Sequence, residues 1–238
     1  MTTRSRNPAR LPPLYSTSIC RGLEPVDVAD IERVARLRRL KKGEALPLGS
    51  SESGALLILM DGRLILVRIH EDGRRLNVAG LYSGMAIVTM ASPSKDVSCE
   101  AAEALEDSYF YIVGRTNLDA LVSAKPKFAT NLVALLNQRV AFLEERLEMQ
   151  AFLPVPARLA SLLVRLSLRS LDHRVSHRRL AESVGASREV VTRTLDEFQA
   201  MGLVDLSRPR VVRITSPERL AEVAGHQFPA STTDTNRT

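Results

Sequence analysis

The stretch from Lys125 to about Ala151 constrains the fold of this chain more than any other part of the sequence. It contains no glycine and, after Pro126, no proline, and its apolar residues recur at alternating steps of four and three. This spacing places them in one row along a helix, as at the a and d positions of a coiled coil, for about three heptads. The members of this row, which we call the seam, are Ala129, Val133, Leu136, Val140, Leu143, Leu147 and Gln150.

A single helix cannot bury this seam against itself, so the seam must contact something else. One interpretation is a core helix that lies on the preceding domain. The interpretation that we favour is pairing with the same helix of a second copy, which makes the six apolar seam residues a dimer interface. Charged residues on the flanks fit a solvated rim, namely Glu144, Glu145, Arg146 and Glu148. Pro154 and Pro156 end the helix and predict a hinge.

The residues before this helix carry the signals of short antiparallel strands. After a predicted helix from about Glu24 to Arg39, turn dipeptides at Asp61-Gly62 and Asp72-Gly73 predict two hairpins. The flanking strands are rich in aliphatic and aromatic residues and cover 55–60, 64–69, 76–81 and 109–113. Such spacing is typical of an antiparallel sandwich or barrel. Residues 1–18 contain three prolines and predict a flexible arm.

Beyond the two prolines the periodicity is helical again, and then changes to that of short strands. The predicted helices are Ala157–Leu168, Arg178–Val184 and Arg188–Met201, and the predicted strands are Leu203–Leu206 and Val211–Ile214. Three helices followed by a β-hairpin make a winged helix-turn-helix. The last residues, 226–238, are rich in Ser and Thr and predict a frayed tail.

Residues 175–201, VSHRRLAESVGASREVVTRTLDEFQAM, contain the helix-turn-helix itself. Ser176 is a predicted N-cap, Gly185 is expected to end the first helix in the left-handed conformation, and Ser187 is a predicted cap for the second. The apolar residues of the second helix are expected to face the core: Val190, Val191, Leu195 and Phe198. Arg188, Glu189, Thr192 and Arg193 then point outward, near the end that a recognition helix presents to base edges.

The outward side chains have the chemistry that reads DNA. Arg188 and Arg193 can each donate two hydrogen bonds to guanine, and Glu189 can accept one from cytosine. The candidate phosphate-binding residues are Ser176, His177, Arg178, Arg179, Ser187, Thr192, Arg208 and Arg210. Residues 154–225 contain 12 arginines and 8 acidic residues, an excess that favours a polyanion. The alternative is an exposed charged helix whose side chains only pair with one another.

The composition of the whole chain narrows the classes of function. A net charge of +6 and a pI near 9.7 favour a partner such as double-stranded DNA. Cys20 and Cys99 are too few for a disulfide scaffold or a structural zinc site, and no apolar run is long enough to span a bilayer. We therefore expect a cytoplasmic protein without a cofactor, a metal or a membrane partner. Because no phosphate-binding loop, dinucleotide motif or nucleophile–base set is present, we do not expect an enzyme.

Residues 185–193, GASREVVTR, and the order of elements from about Leu23 to Ile214 resemble the family of the catabolite activator protein and the fumarate-nitrate reduction regulator. This resemblance to the Crp-Fnr family of bacterial transcription factors implies an α+β fold with three parts. They are a cyclic-nucleotide-binding-type β-roll sensor domain at 19–124, a dimerisation helix at 125–153 and a winged helix-turn-helix DNA-binding domain at 154–225. It also implies a homodimer that reads a palindromic TGTGA-like operator through residues 188–201, with Arg188, Glu189 and Arg193 reading bases. RNA polymerase is a candidate partner.

The expected effector pocket departs from the pattern of that family. Its cyclic-AMP-binding members hold the ribose with a Gly-Glu pair and the cyclic phosphate with an Arg-Ser pair. The corresponding residues here are Gly84-Met85 and Ser98-Cys99. The pocket is therefore degenerate, because it lacks both the glutamate and the arginine of the family pattern. A buried phosphate without a cation is unfavourable, so we expect no tight binding of cyclic AMP. Lys95, next to Asp96, is an alternative cation.

The cysteine and histidine content of the chain narrows the candidate effectors. An iron–sulfur cluster, as in the oxygen-sensing member of the family, needs more N-terminal cysteines than Cys20. The alternatives are haem bound by His70 or Cys99, a redox pair of Cys20 and Cys99, an apolar pocket and a dimer that needs no ligand. The residues of the apolar pocket would be Met85, Ile87, Val88 and Met90. The alternative function is a ligand-sensing β-roll module that acts on a protein partner.

Overall fold

The computed structural model describes residues 11–48, 54–89, 97–168 and 170–225, with residues 97–99 described by their backbone alone. The chain forms two compact units, Met1–Leu143 and Glu144–Thr238. The predicted tail at 226–238 and the first ten residues of the predicted arm lie outside the described residues, as do Met90, Lys95 and Asp96. In the described ranges, no helix is long and apolar enough to cross a membrane.

The first unit contains two antiparallel sheets of four strands each, which confirms the predicted β domain. One sheet has the strand order β1-β8-β3-β6 and the other has the order β2-β7-β4-β5. The helices are α1 (Pro25–Val34), α2 (Arg115–Ala124) and α3 (Pro126–Phe152), of which α3 continues past the end of the unit. The strands are β1 (Arg36–Leu40), β2 (Ala45–Pro47), β3 (Leu56–Asp61), β4 (Arg63–His70), β5 (Arg75–Tyr82), β6 (Ala86–Val88), β7 (Val97–Ala104) and β8 (Ser108–Val113).

Two apolar cores hold this unit together, one on each face of the sheet that contains β3. Because successive strand residues point to opposite faces, Leu57 joins Phe110 and Leu66 in the core between the two sheets. Ile58 points the other way and joins Phe128 in a core formed with the helices. All five side chains are at most 1% exposed. Burying each one contributes roughly 1.5–3 kcal/mol, so both faces of β3 stabilise the fold.

The predicted helix at Glu24–Arg39 is too long, because only Pro25–Val34 is helical. Ala35 has extended backbone angles, and Arg36–Leu40 forms a strand that pairs with β8, Arg36 opposite Ile112. The helical spacing of the apolar residues therefore misled the prediction past Val34. The pairing with β8 is a contact between distant parts of the chain, and such contacts override local propensity.

One of the two predicted hairpins is wrong. The Asp72-Gly73 turn does join β4 to β5, with Ile69 opposite Arg75. At Asp61-Gly62, however, the chain passes from one sheet to the other, because β3 and β4 belong to different sheets. Gly62 has a φ of 100°, and a Cβ there would lie 2.7 Å from the backbone oxygen of Asp107. Glycine is therefore needed at this corner because the backbone of Asp107 comes so close, and not because of a hairpin turn.

Part of the predicted flexible arm is packed. Two short 3₁₀ turns, Leu14–Ser16 and Ser18–Cys20, place Leu14 and Ile19 in the helix-facing core of the first unit. Thr17 is 2% exposed, and its hydroxyl donates a hydrogen bond to the Leu14 carbonyl. Burial of the apolar side chains in this segment therefore offsets the entropy of ordering it.

Helix α3 carries two apolar rows with different surroundings. Phe128 and Leu132 are buried in the helix-facing core of the first unit. In the seam, Ala129 is half-buried, whereas the next five residues, Val133 to Leu147, are 41–68% exposed. The interpretation of α3 as a core helix therefore accounts for its first turns only, and the pairing of seams stays a prediction.

The second unit begins at Glu144, before the predicted boundary at residue 154, and so includes the last two turns of α3. Its further elements are α4 (Val155–Ser167), β9 (Asp172–Arg174), α5 (His177–Val184), α6 (Arg188–Ala200), β10 (Val204–Asp205), β11 (Val211–Ile214) and α7 (Pro217–Val223). The strands form one sheet in the order β10-β11-β9. The three predicted helices and the β-hairpin are confirmed, and β9 and α7 are additions that the sequence patterns missed.

Candidate nucleic-acid interface

The helix-turn-helix of the second unit is fixed by three local devices. The Ser176 hydroxyl accepts a hydrogen bond from the Arg179 N–H at 3.2 Å and begins α5. Gly185 ends α5 with φ 67° and ψ 48°, in the left-handed region. The Ser187 hydroxyl accepts from the Val190 N–H at 3.3 Å and begins α6. The two predicted caps and the predicted left-handed glycine are confirmed, which sets the residue at which α6 begins.

Helix α6 has one buried face and one exposed face. Val191 and Leu195 are 0% exposed and Phe198 is 2% exposed, within the core of the second unit. Val190 is only half-buried, and the buried face also includes Thr194, whose hydroxyl donates to the Val190 carbonyl. The anchored face leaves the opposite face of the helix open to solvent.

The three candidate base-reading residues, Arg188, Glu189 and Arg193, are all exposed, near the N-terminal end of α6. The Arg193 Nε lies 4.0 Å from a carboxylate oxygen of Glu197, and both side chains are more than half exposed. An ion pair of that length in water is weak, so the guanidinium can exchange it for a guanine edge. The face can therefore present two forked donors and one acceptor together.

The candidate phosphate-binding residues differ in how many of their donors remain available for DNA after their contacts within the protein. The His177 Nδ1 and the Thr192 hydroxyl are 2.9 Å apart and hydrogen-bond each other, which links the first turn of α5 to α6. Arg178 pairs with Glu182 at 3.1 Å but has a side chain 64% exposed. Ser176 and Ser187 use their oxygen atoms as helix caps, so each keeps a hydroxyl proton to donate.

The wing between β10 and β11 is basic, but its charge is partly balanced. Arg208 and Arg210 are exposed, and Arg210 has a φ of 60° at the turn. Asp172 of β9 lies 3.8 Å from Arg208 and 3.7 Å from Arg213. The backbone N–H of Ser207 holds the pKa of the Asp205 carboxyl below its usual range, so this carboxyl also stays charged. The position of Asp172 beside the wing was not predicted, because β9 was missed.

The last two turns of α3 contact the helix-turn-helix directly. Gln150, which the heptad spacing assigned to the seam, instead donates from Nε2 to the Val184 carbonyl at 2.8 Å. Arg146, expected on the solvated rim, donates to the Ser183 carbonyl at 3.0 Å. These contacts could not be predicted from the sequence, because a heptad pattern identifies apolar partners and not polar ones.

The strand that carries Ser98 and Cys99 of the expected effector pocket also carries two acidic residues that pair with arginines of other strands in the same sheet. Arg68 of β4 lies opposite Glu100 of β7, with 4.0 Å between guanidinium and carboxylate, and Arg75 pairs with Glu103. Gly84 has a φ of 86° in the turn before β6, and Met85 is 44% exposed. Ser98 and Cys99 lie in β7, and their side chains are outside the described part of the chain.

The two candidate sensor groups that the structure describes have ordinary surroundings. Cys20 is a buried free thiol, and burial raises its pKa, which disfavours the reactive thiolate. His70 is half-buried on β4, with its Nδ1 3.0 Å from a carboxylate oxygen of Asp72. Among the side chains of the described ranges, no group of three or more His, Cys, Asp or Glu could hold a metal ion.

Comparison with known proteins agrees with this geometry. A family model described as a Crp-like helix-turn-helix domain matches residues 157–223. The "Cyclic AMP receptor protein" of Thermus thermophilus is 28% identical over 205 residues, which are 85% of this chain and 94% of that protein. The "CRP-like cAMP-activated global transcriptional regulator" of Mycobacterium tuberculosis is 24% identical over 222 residues, 89% of this chain and 98% of that one. A solved Crp/Fnr-family transcriptional regulator from Eubacterium rectale shares the fold, with a TM-score of 0.72, 22% identity, and coverage of 85% of this chain and 95% of that one.

Proposed function

We propose that this chain is a transcription regulator of the Crp/Fnr type that works as a homodimer and reads a two-fold symmetric operator through α6. It is a transcription regulator with a helix-turn-helix DNA-binding domain, and its relatives are not enzymes. The observation that carries the proposal is the exposed group Arg188, Glu189 and Arg193 on a helix whose opposite face is buried.

The reading of bases follows from the two faces of α6. With Val191 and Leu195 anchored in the core, the N-terminal half of α6 enters the major groove. Arg188 and Arg193 then donate to guanine O6 and N7, and Glu189 accepts from a cytosine amino group. The resemblance of this triplet to the family favours a TGTGA-like half-site. The eight candidate phosphate-binding residues hold the register on the backbone without specifying sequence.

The exposed seam supports the dimer. Five apolar side chains in one helical row stay 41–68% exposed in the described chain, and pairing with a second α3 buries them at a/d spacing. A two-fold dimer then presents two copies of α6 to half-sites about one helical turn, 34–36 Å, apart. RNA polymerase is the further partner that a bound regulator of this kind would contact.

Selection from a pool of random double-stranded DNA tests this function. We expect enrichment of two inverted half-sites, with centres about 10 base pairs apart, and binding that weakens steeply with salt. A variant in which Arg188, Glu189 and Arg193 are all alanine should bind without enriching a sequence. If the parent protein binds no duplex at either of two salt concentrations, the DNA-reading function is wrong, and action on a protein partner becomes the better account.

We expect no tight binding of cyclic AMP, although two of the relatives are named for that ligand. Arg68 and Arg75 are already paired with Glu100 and Glu103, which are 8% and 9% exposed. A cyclic phosphate would have to displace a buried carboxylate to use either guanidinium, which is costly. Calorimetric titration with cyclic AMP should show no saturable heat, while the selected operator gives a clear isotherm with the same sample. Saturable micromolar binding would contradict this expectation.

A further inference from the structure

The end of α3 provides hydrogen-bond donors for the end of α5. A helix leaves its last carbonyl groups without partners inside the helix. In α5 two of these are the carbonyls of Ser183 and Val184, which accept from Arg146 at 3.0 Å and from Gln150 at 2.8 Å. Arg146 and Gln150 are four residues apart and therefore lie side by side on one face of α3. They act together as a two-point clamp on the residues just before the turn.

Helix α4 also contacts this clamp, through Arg158. The side-chain oxygen of Gln150 accepts a hydrogen bond from Arg158 of α4, so one amide group connects α3, α4 and α5. Arg158 is 9% exposed and Arg146 is half-buried. Burial lowers the pKa of both guanidinium groups, and the charge of Arg165 adds to the effect at Arg146. Cations at the C-terminal end of α5 also complement its dipole.

The turn of the helix-turn-helix is in close contact with the same amide. A Cβ at Gly185 would lie 2.5 Å from the Gln150 Nε2 and 3.3 Å from its Oε1. The glycine is thus required twice, for its left-handed backbone and for the approach of Gln150. Since α6 begins three residues later at Arg188, the clamp acts on the segment that aims the recognition helix.

We propose that Arg146 and Gln150 are positioning residues, which fix the helix-turn-helix to the last two turns of α3 and thereby set the distance between the two copies of α6 in the dimer. The inference rests on the proposed function, and it adds the residues that control half-site spacing. In this inference both residues act through the carbonyl groups at the end of α5 and not through a contact with DNA. Without the clamp, each α6 keeps its base-reading face but no longer holds a fixed direction relative to the end of α3.

Duplexes with altered half-site spacing test this inference. Affinities are measured for operators with the selected spacing, for operators one or two base pairs longer or shorter, and for a duplex with one half-site. In the Arg146→Met, Gln150→Met double variant, we expect about tenfold weaker binding at the selected spacing, because linked binding to the second half-site loses its fixed geometry. The preference among spacings should flatten, while affinity for the single half-site changes less than about twofold.

Two control variants separate positioning from a general structural effect. Gln138→Met makes the same substitution at an exposed position of α3 and should keep the spacing preference of the parent. Arg146→Lys retains a donor for the Ser183 carbonyl. This variant should keep most of the spacing preference that the Arg146→Met variant loses. If the double variant does not fold, as judged by thermal melting, Gln150→Glu takes its place. It keeps an acceptor for Arg158 but cannot donate to Val184.

The outcomes are distinct. An unchanged spacing preference in a folded clamp variant overturns the inference, and so does an equal loss of affinity for the single half-site and the full operator. A flattened preference with intact half-site affinity supports it. If the parent protein itself selects no sequence, the proposed function fails first, and the inference fails with it.

Discussion

Replacing Arg188 by alanine is expected to weaken operator binding by roughly 1–3 kcal/mol in each half-site, the value of one bidentate contact to guanine. Because both subunits carry the change, the loss over the whole operator is about twice that. The side chain is exposed and N-terminal on α6, so its removal leaves the buried face with Val191 and Leu195 unchanged. Electrophoretic mobility shifts with the selected operator measure the loss, and repeated selection shows relaxed preference at one base pair per half-site.

A matched substitution distinguishes base reading from loss of charge. Arg219→Ala removes a guanidinium from an exposed position of α7 in the same unit. It should leave base preference unchanged, whatever its effect on overall affinity. Arg178→Ala, at a candidate phosphate contact, should weaken binding to all sequences alike and reduce the dependence on salt. If Arg188→Ala binds its operator as tightly as the parent, Arg188 does not read a base.

The double substitution Leu136→Asp, Leu143→Asp is expected to give a 26.2 kDa monomer in sedimentation experiments, where the parent has twice that mass. Pairing the seams would bury four carboxylates in an apolar interface, and each buried charge is strongly unfavourable. The monomer should stay folded, because both leucines are more than 40% exposed in the chain itself. Operator binding should fall by at least about a hundredfold, since the two half-sites are no longer bound by linked subunits.

The control for this prediction places the same charges elsewhere on α3. Gln138→Asp with Ala141→Asp adds two carboxylates at exposed positions outside the seam and should leave the dimer intact. Circular dichroism of both double variants should show equal helix content. A Leu136→Asp, Leu143→Asp protein that still sediments as a dimer would show that the seam is not the dimer interface.

The helix-turn-helix could be predicted from the sequence because its determinants are local. Ser176, Gly185 and Ser187 act on backbone groups within four residues of themselves, and each has the predicted role in the structure. The spacing of Val191, Leu195 and Phe198 likewise identifies the buried face of α6 without reference to the rest of the chain. Residue type and spacing were sufficient here, and the exposed triplet followed from them.

Most of the differences between the sequence-based predictions and the structure involve contacts between distant residues. The local spacing of apolar residues predicted that the helix extends to Arg39, but Arg36–Leu40 forms a strand because it pairs with β8. The Asp61-Gly62 dipeptide predicted a hairpin, but in the structure it connects strands of two different sheets. Arg68 and Arg75 could not be assigned to Glu100 and Glu103, because register between β4, β5 and β7 decides which side chains meet. The same holds for Gln150, whose partners come from α4 and α5.

By itself, the sequence determined where α5 and α6 begin and where α5 ends, which face of α6 is buried, and which exposed side chains of α6 are candidates for reading DNA. Those properties depend on the periodicity of the backbone and on hydrogen bonds that span a few residues. Only the tertiary structure decided how the strands divide between two sheets, which cations of the β domain are matched by carboxylates, and how the end of α3 holds the turn before α6. These depend on which distant groups are brought within hydrogen-bond distance, and that is a property of the whole fold.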